Sequence, residues 1–257
     1  MQVDSDAMID ALGAIRDAEG FVQLREAVVR ALALHGIEVA YFVAPLTSDA
    51  RIEPVLFTMG LPEVAERHYR ERLRHADPLP LRSTRFSNAF YWPDDIEPEK
   101  LSGHERRYTK IATRFGLERG IGVACYGPQG RTGFLGAGWP GHKRPSDETM
   151  LAIHQIGQTA FQRYCQLFSQ ANEIPQLSKR ELEVLGWMCS GKSNPAMAQI
   201  IGVSRSSIDA YIRRIFAKLE VSDRTAACVR AQSLGLVASD ELARLTEAAK
   251  QLDRPRS

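Results

Sequence analysis

The side chains best suited to specific chemistry lie on one face of a helix that we predict after Ser204. Isoleucine and leucine recur at positions 208, 212, 215 and 219, a helical spacing that indicates a buried stripe. The opposite face carries polar side chains, which are Arg205, Ser206, Asp209, Arg213 and Arg214. An α-helix fits the major groove of DNA, where residues near its N-terminal end reach base edges. The spacing predicts an amphipathic helix, and its polar face is chemically suited to reading DNA.

Further polar groups around this helix are suited to the phosphates of DNA. Basic side chains supply charge, while hydroxyls and backbone N–H groups at helix starts supply hydrogen bonds. The candidates are Arg214, Lys218, Arg224, Ser193, Asn194 and Ser204. From Pro175 onward the chain has 13 Lys and Arg against 9 Asp and Glu, whereas the preceding part has 20 against 22. This distribution favours a basic nucleic-acid module at the end of a neutral body.

Asp209 is the acidic exception on the predicted DNA-reading face. A carboxylate is unfavourable near phosphates, yet it can accept a hydrogen bond from the amino group of cytosine. It is equally consistent with a surface aspartate tolerated beside Arg213. Both interpretations stay open from the sequence.

The residues from 177 to 237 form helices and turns with clear boundaries. Ser178 and Glu181 make a capping-box pattern, Gly191 ends the first helix, and Gly202-Val203-Ser204 is the turn before the DNA-reading helix. The segments LSKRELEVL, SN, IGVS and KLEVSDRTAA, with Gly191 between the first two, resemble the LuxR-type helix-turn-helix in order and spacing. This resemblance implies an all-α domain of four helices that binds DNA. The family usually has a basic or neutral polar residue at position 209.

The front half alternates between helical and strand-like patterns. Helical spacing predicts helices at 21–35, 62–75, 97–115 and 145–168. Apolar and β-branched runs predict strands at 37–46, 52–58, 120–126 and 132–139, and the aromatic run at 86–92 predicts a short strand or a lining loop. Asp77-Pro78-Leu79-Pro80 is expected to break regular structure. The predicted fold is therefore α+β, with an N-terminal α/β/α sandwich around an antiparallel sheet and a C-terminal all-α helix-turn-helix domain.

Four features of the front half resemble the autoinducer-binding domain of quorum-sensing regulators. They are Asp77-Pro78, Trp92 fifteen residues after the aspartate, Phe115-Gly116-Leu117, and Gly120. In that family the aspartate accepts a hydrogen bond from the amide N–H of the ligand, and the tryptophan lines the pocket near the lactone head. The resemblance implies these roles for Asp77 and Trp92, in a mostly apolar pocket for an amphiphilic signal.

The chain departs from that family where a tryptophan donates to the lactone carbonyl and a tyrosine follows four residues later. Counting back from Asp77 places Val64 and His68 at these positions, and counting from Pro62 places Ala65 and Tyr69 there. We therefore expect either an acyl-homoserine lactone or a related aryl or non-lactone signal, with His68 or Tyr69 contributing.

Other aromatic residues are candidates for the pocket walls, or for ordinary core. They are Tyr41, Phe57, Phe90, Tyr91 and Tyr108. Gly136-Ala137-Gly138 is expected to leave room beside the last strand for a bulkier ligand group.

These interpretations predict a signal-binding domain at 1–170, a linker at 171–176, a DNA-binding domain at 177–238 and a tail at 239–257 that extends as a further helix. A single helix-turn-helix makes few base contacts, so we expect a homodimer on a double-stranded operator of two-fold symmetry. Helix 145–168 and residues 226–236 are the candidate dimer surfaces. Four dispersed cysteines and no signal-peptide pattern or long apolar run favour a reduced, cytoplasmic protein without a membrane segment or cofactor.

Three alternatives remain for the front half. A phosphorylated receiver domain needs an aspartate at the end of a parallel strand, whereas Asp94-Asp95 follows Trp92-Pro93 in a predicted loop. An enzyme is disfavoured because the six histidines are dispersed and no HExxH, GxSxG or Walker pattern occurs. A regulator of this fold that binds no ligand is the third alternative.

Overall fold

The structure is a computed structural model, and the residues it describes are 4–44, 55–128, 131–171 and 175–237. The chain divides into two compact units, the first of which ends at Ala171. The predicted tail, 239–257, lies outside the described residues, and the predicted linker lies partly outside them. Within the described ranges, every helix is too short or too polar to cross a membrane.

The first unit is a mixed α and β structure. Its helices are α1 (Ser5–Arg16), α2 (Phe21–Ala33), α3 (Glu63–His68), α4 (Leu79–Ser83), α5 (Gly103–Thr113) and α6 (Asp147–Ala171). Its strands are β1 (Ala40–Ala44), β2 (Val55–Met59), β3 (Phe90–Trp92), β4 (Gly120–Tyr126) and β5 (Thr132–Gly138). A π-helical turn, Tyr69–Leu73, continues α3, and two 3-10 turns precede α5.

The five strands form one antiparallel sheet in the order β2-β1-β5-β4-β3. Alternate residues of a strand point to opposite faces, so the sheet builds two cores. On one face, Phe42 and Leu135 are buried with Leu32 of α2 and Phe161 of α6. This confirms the predicted α/β/α sandwich, and the antiparallel pairing excludes the parallel sheet of a receiver domain.

The other face of the sheet carries mostly aromatic side chains. Tyr41, Phe90, Trp92 and Phe134 are buried there together with Tyr108 of α5. The second core lies under the π-helical turn, α4 and α5, which are shorter than the helices on the first face. These short elements therefore position the polar groups that face the aromatic core.

Glycines in the sheet make room for these rings. A Cβ atom added to Gly136 would lie 2.5 Å from Cε1 of Tyr41, and one added to Gly122 would lie 2.3 Å from Cζ of Phe90. At Gly138 the same atom would meet the backbone oxygen of Gly116 at 2.7 Å. The prediction that this segment leaves space for a ligand group is wrong, because the protein itself fills the space.

Several element boundaries differ from the sequence-based prediction. The polar N-terminus forms α1, which Asp4 caps and which buries Ile15. The expected helix at 62–75 changes from α to π geometry at Tyr69. The segment around Asp77 does not break structure but starts α4, since Pro80 falls in the first turn, where no helical N–H is required.

In residues 175–237 the second unit has four helices, as predicted. They are α7 (Lys179–Cys189), α8 (Asn194–Ile201), α9 (Arg205–Leu219) and α10 (Arg224–Leu234). Leu185, Met197, Ile208 and Ile215 are buried in their common core.

The starts and turns of these helices also agree with the sequence. Ser178 caps α7 in a complete capping box with Glu181, and Ser204 caps α9. Ser193, rather than Asn194, caps α8. Gly202 ends α8 at a φ of +74°, a conformation that favours glycine and turns the chain into α9.

Candidate functional site

The first candidate site centres on the buried carboxylate of Asp77, between the π-helical turn and α4. Only 8% of the residue is exposed. Its Oδ1 accepts the backbone N–H of Leu79 at 3.0 Å, while Oδ2 accepts the hydroxyls of Tyr41 at 2.9 Å and Tyr69 at 2.8 Å. The Tyr108 hydroxyl donates in turn to that of Tyr41 at 3.3 Å. Strand β1, the π-helical turn and α5 thus converge on one carboxylate.

The electrostatics of this cluster are unusual because its donors are neutral. Burial raises the pKa of the Asp77 carboxyl from 3.8 to about 6, although hydrogen bonds from Leu79, Tyr69 and Tyr41 lower it. Burial and the nearby carboxylate also raise the pKa of the Tyr41 and Tyr108 hydroxyls well above their usual value. A buried negative charge without a cationic partner attracts a ligand that donates a hydrogen bond.

A cavity of about 130 Å³ lies beside this cluster. Trp92 forms part of its wall and donates from Nε1 to the carbonyl oxygen of Leu117 at 3.2 Å. The lining is mostly apolar and comprises Tyr41, Leu79, Trp92, Pro93, Ile96, Leu101, Tyr108, Thr109, Ala112, Leu117 and Glu118. The volume is close to that of a cavity of about 150 Å³ that accommodates benzene.

The remaining pocket candidates lie outside this lining. Phe90 is in the same aromatic core, where it stacks on Phe86 at 4.6 Å between ring centroids. Phe57 and Tyr91 belong to the opposite face of the sheet, and the guanidinium of Arg25 lies 5.3 Å from the Phe57 ring centroid.

His68 is exposed on α3, whereas the carboxylate of the cluster is buried. Tyr69, one residue later, reaches Asp77. The structure therefore brings together Asp77, Trp92, Tyr69, Tyr41 and Tyr108, and it leaves Phe57 and His68 apart from them.

The second candidate site is the polar face of α9. Arg205, Ser206 and Arg213 are exposed on it, as the sequence predicts. The hydroxyl of Ser204, which caps the helix, lies 2.9 Å from that of Ser206. Arg205 and Ser206 lie in the first turn of α9, the end that reaches base edges in a major groove, and Arg213 follows about two turns later.

Three predicted phosphate ligands are engaged within the protein. Lys218 Nζ contacts Glu181 Oε2 at 2.8 Å, and Arg214 Nε lies 3.4 Å from Glu181 Oε1. Arg224 donates to the carbonyl oxygens of Met188 and Lys192. These contacts support the fold, while the Arg214 and Lys218 side chains stay 54% and 41% exposed. The role of the three cations as phosphate ligands stays a prediction.

Asp209 is also engaged and does not stand alone on the α9 face. Asn194 Nδ2 donates to Asp209 Oδ1 at 2.7 Å, and both residues are half-buried. Ser193 and Ser204 accept backbone N–H groups as helix caps through their hydroxyls.

Two protein-family models match the chain, one in each unit. The model described as "Autoinducer binding domain" matches residues 21–164, and the model described as "Bacterial regulatory proteins, luxR family" matches residues 175–231. The chain belongs to the LuxR family. This membership makes it a transcriptional regulator by class rather than an enzyme.

Relatives of this LuxR-family chain include two named regulators. The putative HTH-type transcriptional regulator y4qH of Sinorhizobium fredii is 31% identical over 149 residues, which cover 57% of this chain and 45% of y4qH. The HTH-type quorum sensing-dependent transcriptional regulator RpaR of Rhodopseudomonas palustris is 23% identical over 204 residues, which cover 77% of this chain and 82% of RpaR. The match to y4qH thus spans less than half of that protein.

The fold is shared with a solved structure of SdiA in complex with octanoyl-rac-glycerol. The TM-score is 0.70 at 20% identity, and the match covers 90% of this chain and 97% of SdiA. SdiA is a regulatory protein of Escherichia coli. This similarity supports the fold class that the sequence predicts.

The LuxR-family chain has no tryptophan at either position expected to donate to a lactone carbonyl. Val64 is 71% exposed on α3, while Ala65 is buried and carries only a methyl group. Sequence reasoning missed Leu79, Ile96, Leu101 and most of the other apolar lining residues. Their types are those of any core, so no sequence signal distinguishes them.

Proposed function

We propose that this chain is a signal-responsive transcriptional regulator. The first unit binds a small amphiphilic signal, and the second binds double-stranded operator DNA as part of a homodimer in the cytoplasm. The observation that supports signal binding most directly is the buried Asp77 carboxylate, whose hydrogen-bond donors among the described residues are all neutral and which has an apolar cavity beside it.

The chemistry of the cavity narrows the signal. Because Asp77 only accepts hydrogen bonds when ionised, the ligand presents an N–H or O–H donor to it. A cavity of about 130 Å³ is below the roughly 300 Å³ at which drug-sized ligand pockets begin, so a short or ring-shaped group fits best without rearrangement. An acyl-homoserine lactone or a related aryl or non-lactone signal satisfies the donor requirement. SdiA, with the same fold, was solved with the non-lactone octanoyl-rac-glycerol.

We propose a homodimer because the exposed polar face of α9 is small. Arg205, Ser206 and Arg213 span less than three helical turns, so one copy contacts few base pairs. Two copies on a symmetric operator double these contacts. Leu151, which is 59% exposed on α6, supports that helix as part of the dimer surface.

The experiment is to purify the full chain and to use mass spectrometry to identify any small molecule that copurifies with it. Adding that molecule to the unsubstituted chain should raise the melting temperature of the protein. Asp77→Asn should weaken binding at least tenfold, because a hydrogen bond to a charged acceptor contributes about 1.5–3 kcal/mol. Asp94→Asn, an exposed substitution nearby, should leave binding unchanged. Equal affinity of both variants would exclude the role of Asp77.

A ligand-independent regulator of the same family is the second candidate. The three hydrogen bonds that Asp77 already accepts within the protein favour it. In that case the chain folds without any copurifying molecule, and candidate signals leave its melting temperature unchanged.

A further inference from the structure

A chain of hydrogen bonds joins the starts of three helices in the second unit. Asn194 is the first residue of α8, Asp209 lies in the first two turns of α9, and Arg224 is the first residue of α10. Asn194 Nδ2 donates to Asp209 Oδ1 at 2.7 Å, and Arg224 Nη1 donates to Asn194 Oδ1 at 3.4 Å. Arg224 Nη2 donates to the carbonyl oxygen of Met188 at 3.2 Å and to that of Lys192. The chain of bonds thus extends to the end of α7.

The chemistry of the three side chains fixes the direction of these bonds. A guanidinium only donates, and a carboxylate only accepts. The Asn194 amide between them must therefore present Oδ1 to Arg224 and Nδ2 to Asp209. All three residues are half-buried, so water competes less for the bonds than it does at the open surface. Since two of the partners are charged, these bonds are stronger than neutral ones.

The presence of Asp209 on the polar face of α9 needs a physical reason, because a carboxylate repels the phosphates of DNA. We propose that Asp209 is a positioning residue for DNA recognition and reads no base itself. Through Asn194 and Arg224 it holds α9 at a fixed rotation against α8 and α10. That rotation sets how Arg205, Ser206 and Arg213 enter the major groove. The inference rests on the proposed DNA-binding function of the second unit.

The sharpest test exchanges the two bonded groups. In the double variant Asn194→Asp/Asp209→Asn, the carboxylate and the amide change places, and the hydrogen bond between them reverses its direction. The carboxylate then faces Arg224 directly and lies at the start of α8, where a negative charge is favoured. The probe is a DNA duplex enriched from a random-sequence library by the unsubstituted full-length chain. Affinity is measured for this duplex and for every single-base-pair substitution of it.

We expect Asp209→Ala and Asn194→Ala each to weaken binding about tenfold without changing the order of base preferences. Combining them should cost no more than the larger single effect, because both remove the same bond. The exchanged double variant should bind within about threefold of the unsubstituted chain, as expected if one charged hydrogen bond replaces another. Because Asp209 is proposed to set how Arg205 enters the groove, Arg205→Ala should cost less affinity in the Asp209→Ala background than in the unsubstituted chain.

Three results would overturn the positioning role. The first would be that Asp209→Asn alters the preference at one base pair while Asn194→Ala does not. The second would be that the exchanged variant binds as weakly as the single alanine variants. The third would be that the alanine variants bind as tightly as the unsubstituted chain. If an alanine variant fails to fold, the exchanged variant and Asp209→Asn carry the test, because both conserve side-chain volume. Failure of the proposed DNA-binding function has a different signature, namely that the unsubstituted chain enriches no sequence.

Discussion

Each of the two units buries a carboxylate, and the surroundings of the two differ. Asp77 in the first unit accepts hydrogen bonds from two tyrosines and a backbone N–H, all neutral. Glu181 in the second is 2% exposed and contacts the cations of Lys218 and Arg214. Burial alone raises the pKa of both carboxyls. Hydrogen bonds from Lys218 and Ser178 outweigh it at Glu181 and lower that pKa to about 2, whereas the pKa of Asp77 is about 6.

The difference separates a structural carboxylate from one available to a ligand. Glu181 is neutralised within the protein, and its oxygens hold α7 against α9. Asp77 accepts hydrogen bonds from neutral groups and forms no ion pair with the described residues, and it lies beside an apolar cavity. Perturbed carboxyl groups next to a cavity are common at binding sites, and ion-paired ones are common in structural networks.

The largest expected effect tests the structural half of this comparison. Glu181→Ala removes the capping box of α7 and leaves Lys218 and Arg214 without their shared partner, so it should lower the free energy of unfolding of the second unit by about 3 kcal/mol. Glu183→Ala on the same helix breaks only the exposed pair with Arg180 and should cost less than about 0.5 kcal/mol. Hydrogen exchange of α7 and α9 in the full chain measures both. Equal losses of unfolding free energy in Glu181→Ala and Glu183→Ala would show that Glu181 is not a structural carboxylate.

The next prediction concerns the pH dependence of the first unit. The pKa of the Asp77 carboxyl is higher in the folded protein than its ordinary value of 3.8. The contribution of this group to stability is therefore complete below pH 3.8 and is lost as the pH rises through about 6. The free energy of unfolding should therefore fall by about 2–3 kcal/mol between these values, and Asp77→Asn should remove this change. Glu181 has the opposite sign, since its contribution is lost only as pH falls from 4.5 towards 2. Hydrogen exchange of β1 and α5 at each pH measures the effect, and Asp94→Asn is the matched control.

Two glycines extend the comparison to packing. Gly136→Ala places a methyl group 2.5 Å from the Tyr41 ring and should destabilise the first unit by about 1–2 kcal/mol. Gly186→Ala lies inside α7, where the nearest atom, Cγ1 of Val237, is 3.8 Å away, so it should stabilise the second unit by about 0.5–1 kcal/mol. Urea unfolding of the two variants checks the opposite signs. A stabilising effect at Gly136 would show that Tyr41 is free to move.

The smallest expected effect is on the salt dependence of DNA binding, and it concerns Arg205 and Arg213, which do not pair with Glu181. Arg205→Ala and Arg213→Ala each remove an exposed positive charge from the face of α9 that is proposed to meet DNA. Each should therefore reduce the slope of log affinity against log salt by up to about 1, measured by fluorescence anisotropy between roughly 50 and 200 mM salt. Lys218→Ala should leave that slope unchanged, because its ammonium group is bound to Glu181. A reduced slope for Lys218→Ala would mean that this ion pair opens on DNA.

The sequence predicted best what depends on near neighbours in the chain. The caps at Ser178 and Ser204, the turn at Gly202 and the buried stripe of α9 follow from contacts three or four residues apart, and the structure has all of them. The sequence also singled out Asp77 and Trp92 through their resemblance to a family pattern. Both are buried in the first unit, Trp92 in the cavity wall and Asp77 beside it.

Only the tertiary structure decided which side chains meet across the sheet and between helices. Phe57 pairs with Phe42 and shares its face of the sheet, opposite Tyr41, because strand register fixes the side on which a residue lies. Lys218 reaches Glu181, which is 37 positions away, and Asp209 reaches Asn194, which is 15 positions away, in each case on another helix. Periodicity identifies a polar face on a helix, but whether each group on that face is free for a partner depends on what the fold places beside it.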